Sequence, residues 1–333
     1  MRFGYSETCL EHDTGERHPE TADRLRAIKQ GLTRKHGVEY VESDPAAVEA
    51  VTAVHDADYV EEVREFCETG GGNWDPDTVA VGETWNAALT SAGLAEWAAE
   101  AALAGEQGRK TPFSLGRPPG HHATVDEAMG FCFFNNAAVA AEAALDTVDR
   151  VAIVDWDVHH GNGTQDIFEE QGDVFYASLH EKGLYPGTGE AAEIGSGEGE
   201  GTVCNLPLPS GTDDGGYLYA IDEVLDPVLE RFDPDLLLVS AGFDAHRHDP
   251  ISRMRVSTDG FGHLTIALRE IAENAGAPIA FVLEGGYGLD TLSEGVAMVH
   301  EVFDGHTPVD PEIDPSEGVE ELVSDLRERH DLE

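Results

Sequence analysis

Val151-Ala-Ile-Val-Asp-Trp-Asp-Val-His-His-Gly-Asn-Gly-Thr164 decides how the rest of the chain is read. Its first four residues are apolar and mostly β-branched, which predicts a short buried strand. The stretch then turns to Asp155, Asp157, His159 and His160 and is closed by Gly161 and Gly163. In extended backbone, residues i and i+2 share a side, so Asp155, Asp157 and His159 can face one point. Carboxylate and imidazole groups are ligands for a divalent metal. The plain alternative is a polar loop in water. Charge packed this densely beside a buried strand is costly, however, unless it is paired or metal-bound.

The same pattern recurs on both sides. A strand over 111–115 runs into Gly116-Arg-Pro-Pro-Gly120, which presents His121 and His122 on a stiff loop. A buried strand over 234–241 leads to Gly242-Phe-Asp244, and another over 278–283 leads to Glu284-Gly-Gly-Tyr287. Further strands are expected over 1–6, 174–179 and 202–206. Helical patterns cover 21–31, 54–68, 82–104, 137–145, 217–232, 258–274 and 292–303, and Ser43-Asp44-Pro45 reads as one more helix start. His55 reads as a surface or capping histidine. Strands alternating with helices predict one α/β domain, a mostly parallel sheet covered on both faces.

In such a sheet the carboxyl ends of the strands share an edge, and ligands bind there. Four polar clusters that each follow a strand therefore point into one crevice. Asp157, His159 and Asp244 make a three-ligand metal site with an open position, as a hydrolytic metal requires. His121 and His122 supply acid and base. Tyr287, on a Gly-Gly turn, supplies a hydroxyl donor for an oxyanion.

Composition narrows the function classes. The 333 residues carry 66 acidic and 20 basic side chains, a formal net charge of −46. The acids are spread along the whole length, which disfavours nucleic acid and anionic membranes as partners. It fits a protein that works in concentrated salt, the halophilic reading; recruitment of a cationic substrate is the competing explanation. The four cysteines are scattered and read as free thiols in or near the core. No run is apolar enough to span a bilayer, and the expected location is cytoplasmic.

Arg117-Pro-Pro-Gly-His-His-Ala123, Gly130-Phe-Cys132, Asp155 to Gly163, Ser240-Ala-Gly-Phe-Asp244 and Glu284-Gly-Gly-Tyr287 together resemble the histone deacetylase and acetylpolyamine amidohydrolase superfamily. The stretch from Asp155 to Gly163 looks most like its class II branch. The resemblance runs from about residue 1 to 303 and is weakest before 112. It implies an arginase-like fold with a central parallel sheet of about eight strands, a catalytic domain over 1–305 and an acidic extension over 306–333.

It also implies amide hydrolysis at one Zn2+ held by Asp157, His159 and Asp244, with Fe2+, Co2+ or Mn2+ as further fitting ions. By analogy His122 is the general base and later the acid, oriented by Asn162. His121, oriented by Asp155, is its electrostatic partner, and Tyr287 donates to the tetrahedral oxygen. Gly130, Phe131, Tyr185 and Gly286 fall at substrate-binding positions. Asp155, Ser178 and Leu179 match a monovalent-cation site, K+ by analogy. The implied substrate is an acylated amine such as acetyl-lysine in a protein or an acetylpolyamine.

Three departures stand out. His18-Pro-Glu-Thr-Ala-Asp-Arg-Leu25 follows the family's early motif only loosely, at what would be the pocket rim. Tyr185 replaces a Phe, and Asp249-Pro-Ile-Ser-Arg253 replaces a Gly-rich version. Two other functions compete: an arginase-type hydrolase with two bridged manganese ions, which needs more carboxylates than these motifs hold, and a non-catalytic acyl-binding protein, which predicts loss of a ligand, a histidine or the tyrosine.

Overall fold

The stretch 151–155 is buried at every residue and forms an inner strand of a sheet. The computed structural model describes residues 1–332. Its strands are β1 (Arg2–Gly4), β2 (Glu39–Val41), β3 (Gly72–Asn73), β4 (Val79–Ala80), β5 (Pro112–Ser114), β6 (Val151–Asp155), β7 (Val174–Glu181), β8 (Val203–Leu208), β9 (Leu236–Ala241) and β10 (Ile279–Leu283). Eight of them build one parallel sheet in the order β2-β1-β5-β10-β9-β6-β7-β8, and β3 and β4 form a small antiparallel pair. The chain lays down β5, then β6, and returns with β9 and β10 to fill the space between them.

Alternation along β6 shows that both faces are covered. Ala152 and Val154 belong to one hydrophobic cluster, with Trp156, Phe243 and Phe281. Val151 and Ile153 belong to the other, with the alanine-rich helices. The helices are α1 (Asp23–Leu32), α2 (Val48–Val51), α3 (Ala57–Glu68), α4 (Thr84–Leu103), α5 (Asn136–Leu145), α6 (Asn162–Phe168), α7 (Asp214–Ala220), α8 (Asp226–Phe232), α9 (Thr258–Ala275), α10 (Leu289–Phe303) and α11 (Glu317–Arg329). α4 and α5 pack together through small side chains such as Ala95, Ala98, Ala137 and Ala141, all fully buried. Among the described residues no helix is long and apolar enough to cross a membrane.

Several local expectations need correction. No helix begins at Ser43-Asp44-Pro45; that stretch has no regular structure, Ala46 N donates to Leu89 O at 2.9 Å, and α2 is one turn at Val48–Val51. β2 was not expected: it has three residues on the sheet's edge, two of them exposed, so it carries no apolar run. The helix expected over 217–232 starts earlier, at Asp214, with Asp213 as its cap. It passes through a five-residue π-turn, Ile221–Leu225, before α8. His55 is buried at 3% exposure: Nδ1 lies 2.7 Å from Thr124 O and Nε2 accepts from Asn135 N at 2.9 Å. The four cysteines are buried and free. Of the acidic last stretch, α11 buries Val319, Val323 and Leu326 against the main core.

Candidate metal centre and active site

β5, β10, β9 and β6 are consecutive in the sheet, and each ends in one of the polar clusters. Asp157, His159 and Asp244 each offer a ligand atom, and these atoms lie within 4.8 Å of one another. Asp157 Oδ1 accepts from His159 N at 2.9 Å and lies 3.0 Å from His159 Nδ1, while Oδ2 accepts from Gly285 N at 2.7 Å. Asp244 Oδ1 accepts from Val158 N at 2.9 Å. Its other oxygen lies 3.3 Å from His159 Nδ1 and is buried without a hydrogen bond. A side chain on Gly285 would run into both carboxylates, so glycine is needed for the backbone to pass this close.

Two buried carboxylates and one imidazole around an unpartnered oxygen fit a divalent cation by donor chemistry. The electrostatics agree. Burial disfavours the His159 cation, yet Asp157 and Asp244 outweigh it and push the imidazole up to about 10. Asp244 itself is pushed up to about 6 by burial and by Asp157. The cluster calls for positive charge at its centre.

The two histidines of the Pro-Pro-Gly loop sit beside it, with ring centroids 4.0 Å apart. Their partners differ. His121 Nδ1 lies 2.9 Å from Asp155 Oδ2, and its Nε2 is 3.9 Å from Asp157 Oδ1. His122 Nδ1 lies 2.8 Å from Asn162 Oδ1. Burial works against both cations. For His121 the charges of Asp155, Asp157 and Glu284 prevail and lift it to about 10. For His122 burial prevails, reinforced by His121 and His159, and holds it well below the usual imidazole range. Adjacent titratable groups pushed apart in this way are suited to opposite protonation states.

Tyr287 follows the end of β10. Its ring stands edge-on to Phe131 at 5.8 Å, and burial pushes its hydroxyl well above the ordinary phenol range despite Arg24 nearby. Phe131 has a left-handed φ of 72°, rare for a side chain of this size and a recognised form of strain near functional sites. Tyr185 faces His122 edge-on at 5.1 Å and is 37% exposed, so it stands at the mouth. Gly130 places its backbone against the His122 ring. A cleft of about 650 Å³ opens outside Phe131, lined by His18, Pro19, Pro76 and Asp77. Gly286 is buried at a φ of 115°, and its carbonyl accepts from Arg24 Nε at 2.8 Å; it shapes the turn beneath Tyr287. Ser178 pairs in register with Asp155, and Leu179 follows it on β7.

Sequence reasoning missed a charged layer behind the site. Of the 18–25 motif, His18 and Pro19 reach the rim, and the His18 ring stands edge-on to Phe131 at 4.6 Å. Glu20 and Arg24 are fully buried. Arg24 also donates to Glu284 O, and its guanidinium carbon lies 5.2 Å from the Tyr287 ring centroid. Glu20 Oε1 binds both Arg24 (3.2 Å) and Arg117 Nε (2.6 Å). Glu284 Oε2 accepts from Gly120 N (2.8 Å) and His121 N (3.2 Å), and burial pushes it up to about 7. The four-residue spacing from Glu20 to Arg24 at a helix start was the available signal.

Comparison with known proteins places this geometry. The family model described as "Histone deacetylase domain" matches residues 18–303. The chain is 40% identical over 351 residues to the rice (Oryza sativa subsp. japonica) protein "Histone deacetylase 10, chloroplastic", covering 95% of this chain and 78% of that one. It is 43% identical over 291 residues to the "Histone deacetylase-like amidohydrolase" of Pseudomonas aeruginosa, covering 85% and 76%. The crystal structure of the HDA15 HD domain superposes with a TM-score of 0.91 at 37% identity, covering 99% of this chain and 93% of that one.

Proposed function

The chain belongs to the histone deacetylase family and is a hydrolase of amide bonds, and from that premise we propose that it is a zinc-dependent deacetylase that removes acetyl or a similar acyl group from an amine such as acetyl-lysine or an acetylpolyamine. The observation that carries this reading is the junction of a three-ligand cluster with two histidines of opposed electrostatics and a half-buried tyrosine at the ends of four adjacent strands. Zinc would be held by Asp157, His159 and Asp244; when bound it polarises an amide carbonyl and acidifies water. Fe2+, Co2+ and Mn2+ suit the same donors. The described residues contain one such cluster, which favours a single ion over a bridged pair.

The chain's own groups account for the proton traffic. His122 donates its Nδ1 proton to Asn162, which leaves the Nε2 lone pair free. Held neutral, His122 takes a proton at Nε2 from the attacking water and returns it to the departing amine. His121 stays cationic on Asp155 and stabilises the negative charge that develops. The Tyr287 hydroxyl donates to the oxygen of the tetrahedral adduct. Phe131 and Tyr185 wall the acyl-amine chain, and Gly130 offers its carbonyl to the scissile amide N–H. Ser178 and Leu179 with Asp155 form the monovalent-cation position, K+ by analogy. The uniform acidity fits work in concentrated salt in the cytoplasm.

The test is turnover, in molar KCl after zinc loading, of an acetyl-lysine peptide against an acetylated polyamine, with Asp157→Ala as control. Turnover of either that the variant lacks supports the reading and begins to choose the substrate. A metal-loaded protein that hydrolyses neither overturns the deacetylase reading.

A further inference from the structure

Tyr287 N and Gly288 N lie between the end of β10 and the start of α10, where neither sheet nor helix supplies an acceptor. Both donate instead to one side chain. Asp249 Oδ2 accepts from Tyr287 N at 2.7 Å and from Gly288 N at 2.9 Å. Its other oxygen accepts from Ile251 N at 3.1 Å. The carboxylate is 7% exposed and gathers three amides from two loops. Bonds from neutral donors to a charged acceptor are about twice as strong as neutral ones, so this is a firm attachment.

Asp249 is itself held. Its N–H donates to His246 O at 2.7 Å. Ser252 Oγ donates to the carbonyl of the ligand residue Asp244 at 2.6 Å. Arg253 donates from its backbone N (3.0 Å) and Nε (2.9 Å) to Glu181, a fully buried carboxylate at the end of β7. On the other side, Arg24 binds the carbonyls of Glu284 and Gly286, upstream of the tyrosine. Two consecutive glycines give the turn wide backbone freedom, and nothing else bonds the Tyr287 amide.

We propose that Asp249 is the positioning residue for Tyr287: its carboxylate fixes the Tyr287–Gly288 backbone so that the phenol hydroxyl reaches the reacting oxygen. The inference rests on the deacetylase reading for its kinetic consequence. Misplacing a catalytic group by about 1 Å can cost about 10²-fold in rate. The loss belongs in kcat, because the hydroxyl acts on charge that develops after binding.

The test is a double-mutant cycle of Asp249→Ala and Tyr287→Phe on the zinc-loaded full chain with an acetyl-lysine peptide, joined to amide hydrogen exchange across 285–291. Asp249→Ala is expected to lower kcat by about 10- to 100-fold, leave KM within about twofold, and speed exchange at the Tyr287 and Gly288 amides. In the Tyr287→Phe background it is expected to add less than about twofold, because the group it positions is already gone. Asp249→Asn keeps an acceptor oxygen and is expected to fall between. Unchanged kcat, unchanged exchange, or an equal loss in the Tyr287→Phe background overturns the inference. If Asp249→Ala does not fold, the same cycle with Asp249→Asn decides. If the wild-type chain turns over no acyl peptide, the deacetylase reading fails separately and the exchange measurement alone decides whether Asp249 holds the turn.

Discussion

Asn162 Oδ1 lies 2.8 Å from Nδ1 of His122, so the imidazole assigned as base leans on a neutral amide. One ring away, His121 leans on the carboxylate of Asp155. That single difference in partner separates two otherwise similar, equally buried histidines.

Asn162→Asp therefore adds an anion to the wrong histidine. It favours the His122 cation and raises its pKa by about one unit or more. The base must be neutral to accept a proton, so the acidic limb of kcat/KM moves to higher pH and activity near pH 6 falls first. A pH–rate profile of wild type and variant measures this; an acidic limb that stays in place contradicts the role given to His122.

Stability of the metal-free chain should fall as pH rises. His121 and His159 are pushed up to about 10 by carboxylates that outweigh their burial. A histidine raised in the folded state contributes stability that is complete below about pH 6.5 and lost on the way through its folded pKa. Glu284, pushed up to about 7 by burial, adds a fall of the same sign between its ordinary value and 7. The melting temperature should drop between pH 7 and 10 by roughly 5 °C or more, since one kcal/mol moves a large domain by only about 2–4 °C. Zinc takes the place of the proton on His159 and should flatten the curve. A level metal-free profile would show that these imidazoles are not held charged.

Asp244→Ala removes one of the two carboxylates and the oxygen that lacks a hydrogen bond. Elemental analysis after dialysis should find about one zinc per wild-type chain, as expected of a single three-ligand site, and far less in the variant, with turnover lost in parallel. Two metals per chain would redirect the chemistry to a bridged pair.

Salt should stabilise the fold. With a net charge of −46 the surface repels itself, and the screening length shrinks from about 30 Å at 0.01 M salt to about 3 Å at 1 M. The chemical-denaturation midpoint should be higher in molar KCl than in 10 mM KCl. Equal midpoints would remove the case for a salt-adapted surface and leave the acidity to substrate attraction.

The fold was legible where the code is hydrophobic. Val151 to Val154, 236–241 and 279–283 are apolar runs on central strands, buried on both faces, and their pattern leaves little choice. Edge elements were not legible. β2 has three residues and no buried side chain, and β3 and β4 have two residues each, so tertiary pairing rather than composition makes them strands. The placement of Asp157, His159, Asp244, His121 and Tyr287 could be read because each lies within a short loop of a strand's end. Glu20, Arg24 and Arg117 could not. Their charges look solvated in sequence and are buried only because they satisfy one another. His55 misled for the same reason: two backbone partners make an interior site acceptable to it.

The late arrival of β9 and β10 between β5 and β6 sets an order of events during synthesis. When the ribosome has delivered β5 and β6, the edges that will meet β9 and β10 have no partners, and unpaired edges invite association with other chains. The nascent chain holds Asp157 and His159 but not Asp244, whose strand end emerges some eighty-five residues later, and Tyr287 follows later still. Two of the proposed ligands without the third leave the proposed metal site open, so an unfinished chain is expected neither to trap a cation there nor to hydrolyse an amide. Completion of the sheet and competence for chemistry are one event, and a chain cut short before residue 279 forfeits both.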